Sequence, residues 1–154
     1  MLTWLENTAY AQWILTGLTG WPLILTIHAI GLAVAVGMIF AMNLRILGLY
    51  RTIPMSATHT LLNFAWIGIA LNIFSGFSLF MTQASFYVTS PPFLVKITAI
   101  IAGIVLLVIT QKTMAAELSS WETNGVSSKG RNLAIASISL WVLAVVTGRL
   151  IAYL

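Results

Sequence analysis

Four long apolar stretches alternate with short polar connectors along this chain. The runs cover about residues 22–48, 57–81, 91–114 and 131–153, each long enough for the ~20 residues a helix needs to cross a bilayer core. All four prolines stand at helix starts rather than inside the runs. Pro22 opens the first and Pro54 precedes the second, while Ser90 ahead of Pro91 and Pro92 predicts a capped, proline-led start for the third. The fourth is entered from the Gly- and Ser-rich stretch 125–130. Residues 3–19 behave differently, because Glu6, Asn7 and Gln12 interrupt a segment too short and too polar to span. With Trp4 and Trp13 along it and Trp21 just beyond its end, this segment predicts an amphipathic helix lying in the membrane interface. The pattern as a whole predicts an all-α integral membrane four-helix bundle, a single domain over residues 1–154, preceded by that interfacial helix.

Composition narrows the chemistry. Apolar residues make up 60% of the 154 and charged residues only 6%, against about a quarter charged in soluble domains. The net charge of +4 is scattered among the helices, so it predicts membrane topology and contact with lipids, not a nucleic-acid surface. The chain has no cysteine, which excludes disulfides, thiolate iron–sulfur clusters, Cys-ligated zinc and covalently attached c-type haem. Its only acids are Glu6, Glu117 and Glu122, none inside a predicted span. Proton-driven transport and cation conduction, which use intramembrane carboxylates, are therefore disfavoured. The first twenty residues lack a basic start and a small-residue cleavage site, so no cleaved signal peptide is expected.

Charge placement predicts orientation. Arg45, Arg51, Lys112, Lys129 and Arg131 flank the connectors 49–56 and 115–130, whereas the 82–90 connector and both termini carry no Lys or Arg. The positive-inside rule then puts both termini in the periplasm of a bacterial inner membrane, with the basic connectors cytoplasmic.

The candidate chemistry lies near the opposite, outward end. His28, Lys96 and Arg149 each fall about 6–9 Å inside a helix end, at 1.5 Å rise per residue, and on three different helices. Buried polar side chains at such depth cost up to about 2.5–3.5 kcal/mol each, so their presence asks for a reason. Gly31 and Ala35 share a stripe with His28, and Gly68, Asn72, Ser75 and Gly76 share a face of the second span. Two uses of these residues stay open. One is b-type haem, with imidazole as axial ligand, Lys96 and Arg149 on the propionates, and Asn72, Gly31 and Gly76 lining the plane. The other is plain helix packing, with small residues letting backbones approach and His28 bonded to a neighbouring helix through Asn72. A weaker second site is formed by His59, Arg45 and Arg51 at the basic end.

The stretch Ile27-His28-Ala29-Ile30-Gly31-Leu32, continuing to Asn43-Leu44-Arg45, together with Pro92-Phe93-Leu94-Val95-Lys96-Ile97, resembles a family of four-helix bacterial membrane proteins with no assigned activity. An opening like Leu5-Glu6-Asn7 belongs to the same resemblance, which covers almost the whole chain. More distantly, the pattern resembles the haem-containing membrane protoporphyrinogen oxidase and the membrane domain of the copper-resistance D proteins. The oxidase resemblance maps its functional positions onto His28, Arg45 and Lys96 and implies haem ligation at His28. The chain departs from the oxidase in its loops and its N-terminal helix. The expectation is a haem b electron-transfer subunit, as a homo-oligomer or within a larger membrane redox complex. The competing expectation is a cofactor-free accessory subunit that binds lipid or quinone and anchors a partner.

Overall fold

The computed structural model describes residues 2–153. Two short helices, α1 (Thr3–Glu6) and α2 (Ala9–Thr16), precede the first long helix, α3 (Gly20–Ile46). Then come α4 (Ala57–Thr82), a single turn α5 (Ala84–Tyr87), α6 (Pro91–Asn124) and α7 (Ser128–Leu150). No strand occurs among the described residues. The four long helices are each long and apolar enough to cross a membrane, as the hydropathy pattern requires. The protein is an all-α, multi-pass membrane bundle.

Three boundaries differ from the sequence expectation. The anticipated interfacial helix 3–19 is two helices, because Thr8 ends one and caps the next: its hydroxyl donates to the Leu5 carbonyl at 2.8 Å and accepts from the Ala11 amide at 3.2 Å. That pair does not lie free. Ala11 and Ile14 are completely buried against the bundle, while Trp4 stays 67% exposed. Helix α6 runs ten residues past its expected end at 114. At 34 residues it is about 51 Å long, well beyond a ~30 Å hydrocarbon core. Its polar extension is fastened by Glu117, whose Oε2 accepts from the Trp121 indole at 2.8 Å and from the Ser127 hydroxyl at 2.7 Å. Ser127 in turn accepts from the Gly130 amide and caps α7, which therefore starts at Ser128 rather than near Arg131. At α6 the start falls at Pro91 as expected, but the Ser90 hydroxyl makes no capping bond. Pro91 and Pro92 have no N–H to offer it, and the Phe93 amide, the remaining capping donor, makes no bond to it.

The bundle is two antiparallel hairpins. Helix α3 packs along α4 and α6 along α7, and the hairpins meet through α3 and α7. Gly31, Ala35 and Gly68 bring α3 and α4 into backbone contact: a Cβ on Gly68 would sit 2.4 Å from the Ala35 amide nitrogen. Across the hairpin interface, the fully buried Asn43 donates from Nδ2 to Ser137 Oγ at 2.9 Å. In a bilayer, where apolar burial gives little preference for one helix neighbour over another, such close approach and such polar bonds select the partner. Ile39, Met42, Leu62, Leu107 and Met114 fill the centre.

One end of the bundle, here the upper end, carries α1, α2, α5 and the C-terminal end of α7. The other, the basic end, carries the α3–α4 and α6–α7 connectors with Arg45, Arg51, Lys129 and Arg131. At the upper end, Glu6 accepts from the Ser85 amide at 2.7 Å and Tyr10 bonds Ser78 at 3.0 Å, so α1 and α2 cap the α3–α4 hairpin. Stacked rings of Phe80, Tyr87 and Phe93 tie the top of α4 through α5 to the start of α6.

Candidate functional site

Helix α3 turns His28 toward α4 because His28, Gly31 and Ala35 share one face at three- and four-residue spacing, and that face packs on α4. The His28 ring meets Ser75 there, with Nδ1 to Oγ at 2.9 Å. The Ser75 hydroxyl hydrogen goes to the Leu71 carbonyl of its own helix, at 2.6 Å. With its single hydrogen committed, Ser75 must accept from His28, so the neutral ring carries its proton on Nδ1 and its lone pair on Nε2. Gly76 leaves room beside the ring: a Cβ there would come within 3.3 Å of His28 Cε1.

Ser75 belongs to a polar row on α4 at three-residue spacing, Asn72, Ser75 and Ser78. Ser78 repeats the arrangement one turn higher, donating to the Phe74 carbonyl at 2.9 Å and accepting from the Tyr10 hydroxyl. Each of these hydroxyls is buried, donates within α4 and accepts from another element. The row thus docks α3 through His28 and α2 through Tyr10. Sequence reasoning placed Ser75 on the right face but, in its packing alternative, offered Asn72 as the histidine's partner. Asn72 instead turns back on its own helix, Nδ2 to the Gly68 carbonyl at 3.3 Å, and its amide fills the space beside Gly31. A β-hydroxyl sits closer to the helix axis than a γ-amide and suits the short distance to α3. Tyr10, Ser78 and the pairing of Glu6 with Ser85 were not anticipated, since the polar residues of 3–19 pointed to water rather than to α4.

The cations divide. Lys96, half-buried on α6, lays its side chain across Gly148 of α7, where a Cβ would meet Cδ and Cε at 3.4 Å and Nζ at 3.5 Å. Arg149 follows Gly148 by one residue, about 100° further round the helix, and is exposed. The structure therefore brings His28 and Lys96 to one end of the bundle and turns Arg149 outward. At the basic end, His59 is exposed. Arg45 donates from Nε to the Ile53 carbonyl, and Arg51 from Nε to the Gly48 carbonyl at 3.2 Å. Those two arginines line a common cavity, and His59 is not part of its wall.

The fit to haem is mixed and can be stated atom by atom. The donor is suitable: a histidine oriented by a hydrogen bond at Nδ1, with Nε2 uncommitted by that bond. The small-residue stripe is not a slot for a porphyrin, because Gly31, Ala35 and Gly68 are closed backbone to backbone. Among the described residues no group of three or more His, Cys, Asp or Glu side chains could hold a bare metal ion. A comparison with protein-family models, with curated proteins and with solved structures finds no match.

Proposed function

We propose that the protein binds b-type haem at His28, at the upper end of the bundle, and serves as an electron-transfer subunit of the bacterial inner membrane. The observation that carries this reading is the Ser75–His28 bond, which leaves Nε2 as the free donor in the way ligating histidines are usually oriented. Bound there, haem would supply one-electron redox chemistry. The chain's own residues would do the positioning. Ser75 fixes the ring and its tautomer, Gly76 keeps α4 clear of it, and Lys96 offers a cation to a propionate. Arg149, exposed near the end of α7, is available to an anionic group at the membrane surface. His28 is the one histidine at this end, so any further ligand to the group would come from a second copy of the chain or from a partner subunit.

An absorbance spectrum of the full chain in mild detergent, before and after dithionite reduction, tests this reading. A Soret band with a b-type α band on reduction is expected, and His28→Ala should lose both while still inserting into the membrane. A featureless visible spectrum from cells supplied with haem would falsify the assignment.

A second reading has its own support in the closed α3–α4 stripe and the outward Arg149. In it the chain is a cofactor-free accessory subunit, with Lys96 and Arg149 holding a lipid headgroup and His28 facing a quinone carbonyl. That reading expects colourless protein whose co-purified quinone or anionic lipid falls in Lys96→Gln and Arg149→Ala. Unchanged lipid and quinone content in both variants would sink it.

A further inference from the structure

A sizeable cavity lies at the basic end, at the opposite end of the bundle from His28, and the haem and quinone readings of His28 do not involve it. It has a volume of about 660 Å³, between the α3–α4 connector and the junction of α6 with α7. Arg45, Arg51 and Arg131 line it, with Glu122 as the one carboxylate. Trp121 and Met55, each 4% exposed, contribute apolar wall. Three guanidiniums around one space repel one another, and a single carboxylate offsets only one of them. The fold nevertheless holds them there. Arg45 and Arg51 are each tethered through Nε to a carbonyl of the same connector, Ile53 and Gly48. Gly48, at φ 96°, makes the turn and leaves Arg51 Nη2 3.9 Å from where its Cβ would be. Bonds through Nε leave the Nη groups for something else. Arg131 enters from the first turn of α7, where the helix dipole adds positive potential.

We propose that this cavity binds a phosphate group, held by the forked donors of Arg45, Arg51 and Arg131. Phosphate suits the site better than carboxylate because its several oxygens can engage more than one guanidinium fork at once. Three guanidiniums against one glutamate leave an excess charge of two, enough for a phosphate monoester and more than enough for the single charge of a lipid phosphodiester. The apolar wall formed by Trp121 and Met55 gives the carbon skeleton of such an ester a surface to lie on. The phosphate can come from the headgroup of an anionic membrane lipid or from a soluble phosphate ester.

The test uses the full chain in detergent, titrated with phosphatidylglycerol, with phosphatidylcholine and with glycerol phosphate, binding being read by native mass spectrometry and by thermal shift. Preference for phosphatidylglycerol that weakens about tenfold in Arg51→Gln and in Arg131→Gln assigns the site to a lipid headgroup. The same arginine dependence with glycerol phosphate, and none with phosphatidylglycerol, assigns it to a soluble ester. Lys129→Gln removes an exposed cation outside the cavity wall and should change neither. Glu122→Gln, an exposed change that leaves the arginines in place, should tighten binding several-fold. Binding that is absent for both ligands, that is unaltered in the arginine variants, or that does not strengthen in Glu122→Gln overturns the proposal.

Discussion

At the scale of single residues, the upper end is organised by hydroxyls that pass their hydrogen to their own helix and receive one from a neighbour. His28 is therefore a docking residue for α3 and α4 whatever else it binds. Ser75→Ala removes the acceptor for Nδ1 and leaves a half-buried donor unmade, a cost of about 1–3 kcal/mol. The expected outcome is a lower midpoint in detergent denaturation, with Ser75→Thr, which keeps the hydroxyl, recovering most of the loss. An unchanged midpoint in Ser75→Ala would mean that the bond contributes nothing to folding. The presence of His28 and Lys96 near one end was legible in the sequence, because an ionisable side chain in an apolar run stands out. The identity of the histidine's partner was not. Asn72 and Ser75 lie on the same face of α4, and only the separation of the two helices decides between a long amide and a short hydroxyl.

At the scale of elements, the glycines fall into two kinds that the sequence does not distinguish. Gly68 sits where α3 and α4 touch, and a methyl group there would be 2.4 Å from the Ala35 backbone nitrogen. Gly37 lies on the same pair of helices, but a Cβ there meets nothing within 4 Å. Gly68→Ala is expected to force the helices apart at a cost of about 1–3 kcal/mol. Gly37→Ala should be neutral or stabilising by up to about 1 kcal/mol, since it only improves helix propensity. Parallel unfolding curves of the two variants in mixed micelles provide the check, and equal effects would contradict the packing described. The same reasoning explains the stripe that suggested a ligand slot. Small residues in a row are compatible with either use, and here the opposite helix fills the space. The long extension of α6 was missed because hydropathy falls after residue 114, whereas the helix continues with Glu117 accepting hydrogen bonds from Trp121 and Ser127.

At the scale of the whole molecule, two hairpins joined through α3 and α7 give a bundle with chemically distinct ends. One is capped by α1, α2 and an aromatic cluster and carries His28 and Lys96. The other carries the arginine-lined cavity. The charge bias of the connectors predicts that the arginine end faces the cytoplasm. Because the chain has no cysteine of its own, single cysteines report this directly. Phe86→Cys should react with a membrane-impermeant maleimide in intact spheroplasts, and Thr52→Cys only after permeabilisation, both positions being exposed. The reverse pattern would invert the molecule and put the phosphate-binding proposal on the outer leaflet.

By itself the sequence determined that the chain is helical, that four segments can cross a membrane, and roughly where three of them begin. These follow from the length and composition of each run, which need no knowledge of any neighbour. It also determined which chemistries are excluded, since a residue type that is missing cannot be supplied by folding. Only the tertiary structure decided that Ser75 and not Asn72 holds His28, that Lys96 lies over Gly148 while Arg149 is exposed, and that Arg45, Arg51 and Arg131 line one space. Those facts depend on how two helices are rotated and how far apart they stand. A shift of one residue, about 100° around a helix, is enough to move a side chain from the interface to the lipid.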